Sequence, residues 1–392
     1  MVETQFATYA EAIGFARELF DDLSFSYARR FKEADPQGRV IGFLPIYVPR
    51  EIIHAAGMLP VGIFGAGDRI PVVHGDAYFQ SYICHIPRTV VELLARGKFS
   101  DFDGFIFPSI CDVIRNLSGI FRLHAEGAFV RYLDFPQNFD PAVGGVFYRS
   151  ELERLTADLK EMNGKEVGAE GLNRSIALYN RNRRLLRELD SLRSAEPHKV
   201  SALDSYLVRR AGQTLSVEDH NGYLEKVLDL ARASDAEPED RIRVVVSGAF
   251  CEQPPLGLIR TIEMAGCYIV GDDFQLGLDW FADDIPDGSG DPVGALVDAY
   301  LGRSHYSSAL YENEKGKGDL LAAEVRKLSA DGVIFCAPSF CDPALLDRPL
   351  LEQAMDRHHI KHSSFQYHEN LGQFHVIREQ AGTFADMIKL WE

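Results

Sequence analysis

Short apolar runs alternate with amphipathic stretches in the first and last thirds of the chain, while the middle carries only a helical rhythm. Up to about Lys32 the apolar residues fall at helical spacing and predict one or two amphipathic helices. Val40–Val48 (VIGFLPIYV) reads as a buried strand, REIIHAAG after Pro49 as a short helix, and LPVGIFG as a second strand. Asp76–Gly97 reads as a helix carrying Cys84, with Pro87 either kinking it or marking a new start. Asp103–Pro108 (DGFIFP) is a further strand and Asp112–Leu123 a further helix. Strands alternating with helices imply parallel βαβ units.

From Ser150 to about Asp235 no strand signal appears, and GLNRSIALYNRNRRLLRELDSLR is helical, with arginines between its apolar positions. The polar run ARASDAEPEDR ends this region. At Arg241 the first grammar returns: RIRVVVSG is a strand, PPLGLIRTIEMAG a helix, CYIVGDD a strand, Leu296–Leu301 and Lys317–Leu328 helices, and DGVIFC a strand. The expected fold class is α/β, with two Rossmann- or flavodoxin-like parallel-sheet domains, pseudo-duplicated, and additional helical segments. The expected boundaries are an N-terminal helical segment at 1–35, a first α/β domain at 36–149, a helical connecting region at 150–238 and a second α/β domain at 239–392.

The duplication rests on two matches in the same order. Gly42–Gly67 and Ser247–Gly271 both run strand, turn, proline, helix, strand. Asp103–Asp112 is DGFIFPSICD and Asp331–Asp342 is DGVIFCAPSFCD, so both give Asp-Gly, an apolar strand and then Pro-Ser-x-Cys-Asp.

Composition narrows the function. The 392 residues carry 41 basic and 58 acidic side chains, a net charge of −17 that repels nucleic acid and anionic lipid. An anionic ligand such as an acyl-CoA would need a local basic or helix-N-terminal pocket. No run of eighteen apolar residues occurs, and the start MVETQFATYAEAIGFARELFDDL lacks signal-peptide character, so a cytoplasmic protein is expected. In that compartment six cysteines are not a disulfide framework.

Ligands in open α/β sheets collect beyond the carboxyl ends of the strands. Cys111 and Cys341 stand there at matching places in the two halves, each after a strand and near a helix start. A helix N-terminus is expected to lower a thiol's pKa and favour the metal-ligating thiolate. Cys84, in the helix before the first Cys-bearing strand, is a candidate third ligand. Widely separated cysteines suit a shared cluster better than a zinc site, which typically uses close pairs. Cys251 in SGAFCEQPP is either a fourth ligand, a pocket contact or a buried thiol; Cys267 and Cys336 read as core. His85, beside Cys84, and Glu252, beside Cys251, are candidate proton donors, and Arg88 a candidate anion contact. The arginines between Arg174 and Arg193 read as a solvated or inter-subunit face rather than a phosphate site. GAGDRI at Gly65 reads as a simple turn, and no GxxxxGK(S/T) phosphate loop occurs.

The stretches IGFLPIYVPREIIHAAGMLPVGIFG, HGDAYFQSYICHIPR, FPSICDVIRNLSG, SGAFCEQPPLGLIRTIE and SFCDP, with the closing GQFHVIREQAGTFADMIKLW, carry a family resemblance. They resemble the C-subunit family of ATP-dependent benzoyl-CoA reductases, within the 2-hydroxyacyl-CoA dehydratase superfamily, from about Val40 to the C-terminus. The resemblance implies a [4Fe-4S] cluster held by Cys84, Cys111 and Cys341, and reduction of the aromatic ring of a benzoyl-CoA to a cyclic dienoyl-CoA. It also implies a homologous cluster-bearing B subunit, and ATP-hydrolysing activator subunits with a bridging iron–sulfur cluster that pass on electrons from reduced ferredoxin. Two rivals stand beside it: the small subunit of a 2-hydroxyacyl-CoA dehydratase, a lyase, and a metal-free two-domain small-molecule-binding protein.

Overall fold

The computed structural model of the chain describes residues 6–44, 46–248, 255–274, 280–281, 283–302, 307–310, 316–368 and 374–390. Helix α1 (Tyr9–Asp21) starts at Thr8, whose hydroxyl accepts the Glu11 N–H, and α2 (Ser26–Ala34) follows. The first α/β half runs β1 (Arg39–Phe43), α3 (Arg50–Ala55), β2 (Met58–Gly62), α4 (His85–Ala95), β3 (Gly104–Pro108), α5 (Asp112–His124) and β4 (Phe129–Leu133). Four helices follow without a strand: α6 (Val146–Asn163), α7 (Ala169–Ala195), α8 (Ala202–Ala211) and α9 (Val217–Arg232). The second half runs β5 (Ile242–Ser247), α10 (Leu256–Met264), β6 (Cys267–Asp272), α11 (Pro292–Leu301) and α12 (Lys317–Lys327). It closes with β7 (Gly332–Pro338), α13 (Asp342–Arg357), β8 (Lys361–Tyr367) and α14 (Phe374–Leu390).

Each half builds one four-stranded, all-parallel sheet. Their orders, β2-β1-β3-β4 and β6-β5-β7-β8, are the same topology. This is the strand order with which flavodoxin-like sheets begin, and it reverses direction between the first and third strands. Parallel pairing buries a sheet on both faces. The strands β1, β2 and β3 are accordingly almost wholly buried. One face of the first sheet packs on an aromatic group in which Phe105 and Phe121 lie 4.8 Å apart and Phe99 and Phe105 5.5 Å. The opposite face shares an apolar cluster with Ala337, Cys341 and Ala344 of the second half, so the two halves meet through a common core.

Three sequence expectations change. The first strand stops at Phe43 rather than Val48, because Ile46 and Tyr47 take φ of 80° and 58°, a left-handed conformation no strand continues through. The helix expected from Asp76 starts only at His85, and Pro87 lies in its first turn, where its missing N–H costs nothing. Strands β4 and β8 go beyond the sequence expectation: both are sheet edges, β4 mostly half-buried and β8 exposed or half-buried until Phe365, so neither is a fully buried apolar strand.

Candidate functional site

A cavity of about 570 Å³ opens at the carboxyl ends of the strands, against the turn that follows β3. Its walls include Cys84, Cys111 and Cys341, so the fold gathers three cysteines that are remote in sequence. Each of the three is the N-cap of its helix: Cys84 of α4, Cys111 of α5 and Cys341 of α13. Three helix N-termini therefore face one space, and each brings backbone N–H groups and a positive dipole end to it.

The repeated Pro-Ser-x-Cys-Asp motif explains the two matching corners. At the end of β3 the Ser109 N–H still pairs with the Leu133 carbonyl of the edge strand at 2.9 Å; at the end of β7 the Ser339 N–H pairs with Tyr367 at 2.8 Å. After the serine the chain turns out of the sheet and the cysteine caps the next helix. The aspartate is the first helical residue, where its charge complements the dipole. In the second copy Pro343 follows, preset for a first turn. Phe340, just before Cys341, holds φ of 71°, while Ile110, just before Cys111, is not in the left-handed region.

Burial pushes the Cys111 thiol up from its ordinary value; the N–H groups of Ile114 and Val113 pull it down, and the neighbouring Cys341 and Asp112 push it up again. This corrects the expectation of a lowered thiol pKa, since burial outweighs the helix terminus at Cys111. It also places Cys111 and Cys341 within electrostatic reach of one another. A cation beside Cys111 would favour its thiolate against that burial. Among the described residues, no three His, Cys, Asp or Glu side chains converge tightly enough to hold a single metal ion. A mononuclear zinc site demands that convergence, whereas a cubane spreads its ligands over separate iron corners. Three thiols on one wall are the donor type that iron–sulfur clusters take.

The remaining walls are chiefly apolar, with Leu44, Ile86, Ile110, Phe135, Phe340 and Leu346. Among the described lining residues, charge is confined to Asp112, Arg115, Asp134 and Asp342. Arg115 lies one turn beyond Cys111 on α5, with its guanidinium 5.9 Å from the centre of the Tyr132 ring. Tyr132 and Asp134 come from the edge strand β4 and the residue that follows it. No motif surrounds them, and only recognition of that strand would have brought them forward.

His85 does not line the cavity. Its Nε2 lies 2.8 Å from the Gly67 carbonyl, and burial lowers its pKa from the ordinary value, which keeps the ring neutral. Arg88 is tied to Asp76. Cys251 and Glu252 lie outside the described residues. Cys267 and Cys336 are fully buried strand residues, and burial pushes both thiols up, Cys267 to about 12. All six arginines of α7 have a carboxylate partner, among them Arg183 with Glu51 and Arg193 with Asp272. No helix among the described residues is long and apolar enough to cross a membrane.

A model of the family described as 2-hydroxyglutaryl-CoA dehydratase, D-component, matches residues 45–388. The chain is 49% identical over 383 residues to the C subunit of the benzoyl-CoA reductase of Thauera aromatica, covering 97% of this chain and 99% of that protein. It is 28% identical over 382 residues to the beta subunit of (R)-2-hydroxyglutaryl-CoA dehydratase of Acidaminococcus fermentans, covering 96% and 100%. Against the beta subunit of lactoyl-CoA dehydratase of Anaerotignum propionicum the identity is 27% over 348 residues, covering 89% and 91%.

Proposed function

The chain belongs to the 2-hydroxyglutaryl-CoA dehydratase D-component family, and on that premise we propose that it is the cluster-bearing subunit of an ATP-dependent, ferredoxin-linked benzoyl-CoA reductase. The reaction adds two electrons and two protons to the ring of a benzoyl-CoA and yields a cyclic dienoyl-CoA. One observation carries the reading: three cysteines, distant in the chain, cap three helices on the wall of one cavity.

Cys84, Cys111 and Cys341 would hold a [4Fe-4S] cluster. When bound, such a cluster supplies single electrons at low potential, which breaking the aromaticity of a thioester requires. The three helix N-termini stabilise negative charge on the sulfurs, and at Cys111 the N–H groups of Val113 and Ile114 face the thiol. The apolar walls lower the local dielectric, which strengthens electrostatic interactions beside them. Arg115 is the cationic side chain among the described lining residues, placed to receive an anionic or polarised group at the rim. His85, whose Nε2 lies 2.8 Å from the Gly67 carbonyl, and Glu252 are the candidate proton donors.

A homologous B subunit with a second cluster, ATP-hydrolysing activator subunits with a bridging cluster, and reduced ferredoxin complete the proposal. The sequence's lack of a GxxxxGK(S/T) loop accords with ATP hydrolysis in another chain. The test is an anaerobic assay of the purified complex with ATP and a low-potential donor. Dienoyl-CoA from benzoyl-CoA supports the reading. Enoyl-CoA formed from a 2-hydroxyacyl-CoA, with the aromatic thioester left intact, overturns it in favour of the dehydratase reaction of the more distant relatives.

A further inference from the structure

Arg210 on α8 breaks the rule that the arginines of α7 obey. It is only partly exposed, and its guanidinium lies 3.7 Å from the centre of the Phe64 ring and 5.6 Å from that of Phe20. Among the described residues no carboxylate acts on it; its titratable neighbours are the Tyr206 phenol and a second guanidinium, that of Arg69. Arg69 lies over the other aromatic contact, 4.6 Å from the centre of Phe20, and gives two of its donors to the carbonyls of Ala66 and Phe20. Asp21 and Asp68 act on Arg69 from a distance, but neither acts on Arg210. Beside them Gln213, 1% exposed, leaves both amide atoms without a hydrogen-bond partner, and its side chain lies against the same corner of the fold as Phe64 and Gly62.

A partly buried guanidinium without a counter-charge is costly, and a second cation beside it adds to the cost. Aromatic faces recover only part of that. In accord, burial, and then Arg69, push Arg210 down to about 10. In a protein of net charge −17, a carboxylate would be the easiest partner to supply, yet among the described residues none stands beside Arg210.

The loop that leads to Arg69 is built to keep its shape. It follows β2 as Gly65-Ala66-Gly67. Gly65 has φ of 76°, and a Cβ there would stand 2.0 Å from the Thr89 Oγ1, so only glycine fits. The Gly67 carbonyl is the partner of His85, the residue after Cys84, so the loop is tied to the head of the helix that walls the cavity. The stretch that the sequence presents as a simple turn therefore fixes Arg69 at the carboxyl end of β2, where sheets of this topology take their ligands.

We propose that Arg69 and Arg210 form a binding site for a phosphoryl oxyanion. Two planar guanidiniums offer forked N–H donors and two positive charges, which a phosphate group matches in oxygen count and charge better than a single carboxylate does. The phosphoryl group comes either from free phosphate or from the nucleotide end of coenzyme A. The second source rests on the function proposed above; the first does not.

The experiment is titration calorimetry on the anaerobically purified complex, at low ionic strength, with inorganic phosphate, pyrophosphate and coenzyme A as probes. Arg210→Gln and Arg69→Gln are compared with the wild type, and Arg210→Lys tests whether charge without the fork suffices. Loss of one charged partner should weaken the bound probe roughly tenfold or more, with Arg210→Lys intermediate. Weakening for inorganic phosphate and pyrophosphate identifies a free-anion site; weakening for coenzyme A alone identifies the coenzyme's phosphates. If Arg210→Gln fails to fold, Arg69→Gln carries the comparison, since Arg69 sits in a surface loop. Affinities for all three probes within twofold of wild type in the folded variants overturn the site. Iron content and dienoyl-CoA formation report on the redox function separately, so either proposal can fail without the other.

Discussion

Asp103 and Asp331 make the same pair of backbone hydrogen bonds in two different sheets. The Asp103 N–H donates to the Val40 carbonyl at 2.9 Å while its carboxylate accepts the Val40 N–H at 2.8 Å. The Asp331 N–H donates to the Arg243 carbonyl at 2.7 Å and its carboxylate accepts the Arg243 N–H at 2.7 Å. Each aspartate thus locks the start of the sheet's third strand to its first. The glycine after it leaves room for the edge strand: a Cβ on Gly332 would stand 2.7 Å from the Lys361 carbonyl. The repeated Asp-Gly is structural, whereas the repeated Ser-x-Cys-Asp is the part that faces the cavity.

Replacing Asp331 with Ala leaves a backbone N–H at the strand entry without its acceptor, at a cost of about 1–3 kcal/mol. Asp103→Ala should cost more, because Lys32 and Arg39 also pair with that carboxylate. Urea unfolding monitored by circular dichroism checks both; equal stability of the two variants and wild type contradicts the assignment.

For the cavity cysteines the expected readout is iron. Cys84→Ala, Cys111→Ala and Cys341→Ala should each lose bound iron and acid-labile sulfide under anaerobic purification, while Cys267→Ala, buried in β6, should retain both. Retention of full iron by all three cavity variants removes the basis of the redox reading.

A buried ion pair gives a third expectation. Arg183 and Glu51 meet at 2.7 Å with side chains only 3% and 4% exposed, which joins α7 to α3. Glu51→Ala should destabilise the protein by about 3–5 kcal/mol, because it strands a buried guanidinium, whereas an apolar replacement of both partners should recover much of that loss. Thermal or urea unfolding of the single and double variants decides it.

Stability should also fall as the pH rises from about 4.5 to about 7. Burial pushes Glu263 up to about 7, with Asp204 adding to the rise and the Ala202 N–H opposing it. Burial likewise raises Glu324 to about 7, beside Asp273 and Asp272. A carboxyl whose folded value exceeds its unfolded value near 4.5 stabilises the folded state fully below that value, and the contribution disappears as pH rises through about 7. Glu263→Gln should flatten the dependence of the unfolding midpoint across this window. An unchanged slope in that variant excludes Glu263 as a source.

Much of this was legible in the sequence, for identifiable reasons. The inner strands β1, β3, β5 and β7 announce themselves because burial on both faces demands unbroken apolar runs, and the duplicated Asp-Gly and Pro-Ser-x-Cys-Asp sit at fixed places on the third strand of each sheet. The edge strands β4 and β8 are hard to see because Arg131 interrupts the one and Lys361–Ser364 opens the other with four polar residues. With β4 went Tyr132 and Asp134, and with them part of the cavity wall. His85 is named by its adjacency to Cys84 along the chain, whereas the contact of its Nε2 with the Gly67 carbonyl shows only in the fold. Arg210 had no signal at all, since an arginine without a carboxylate beside it is visible only once its surroundings are known.

Cys84 and Cys111 hang from the first sheet and Cys341 from the second, with the four helices α6 to α9 between them in the chain. During synthesis the last of these thiols emerges only after more than three hundred residues have left the ribosome, and it reaches the other two only when both sheets have formed and met. The cavity is therefore a late product of folding. A chain cut short before α13 lacks Cys341, and with it both one thiol of the cavity wall and part of the core the two halves share.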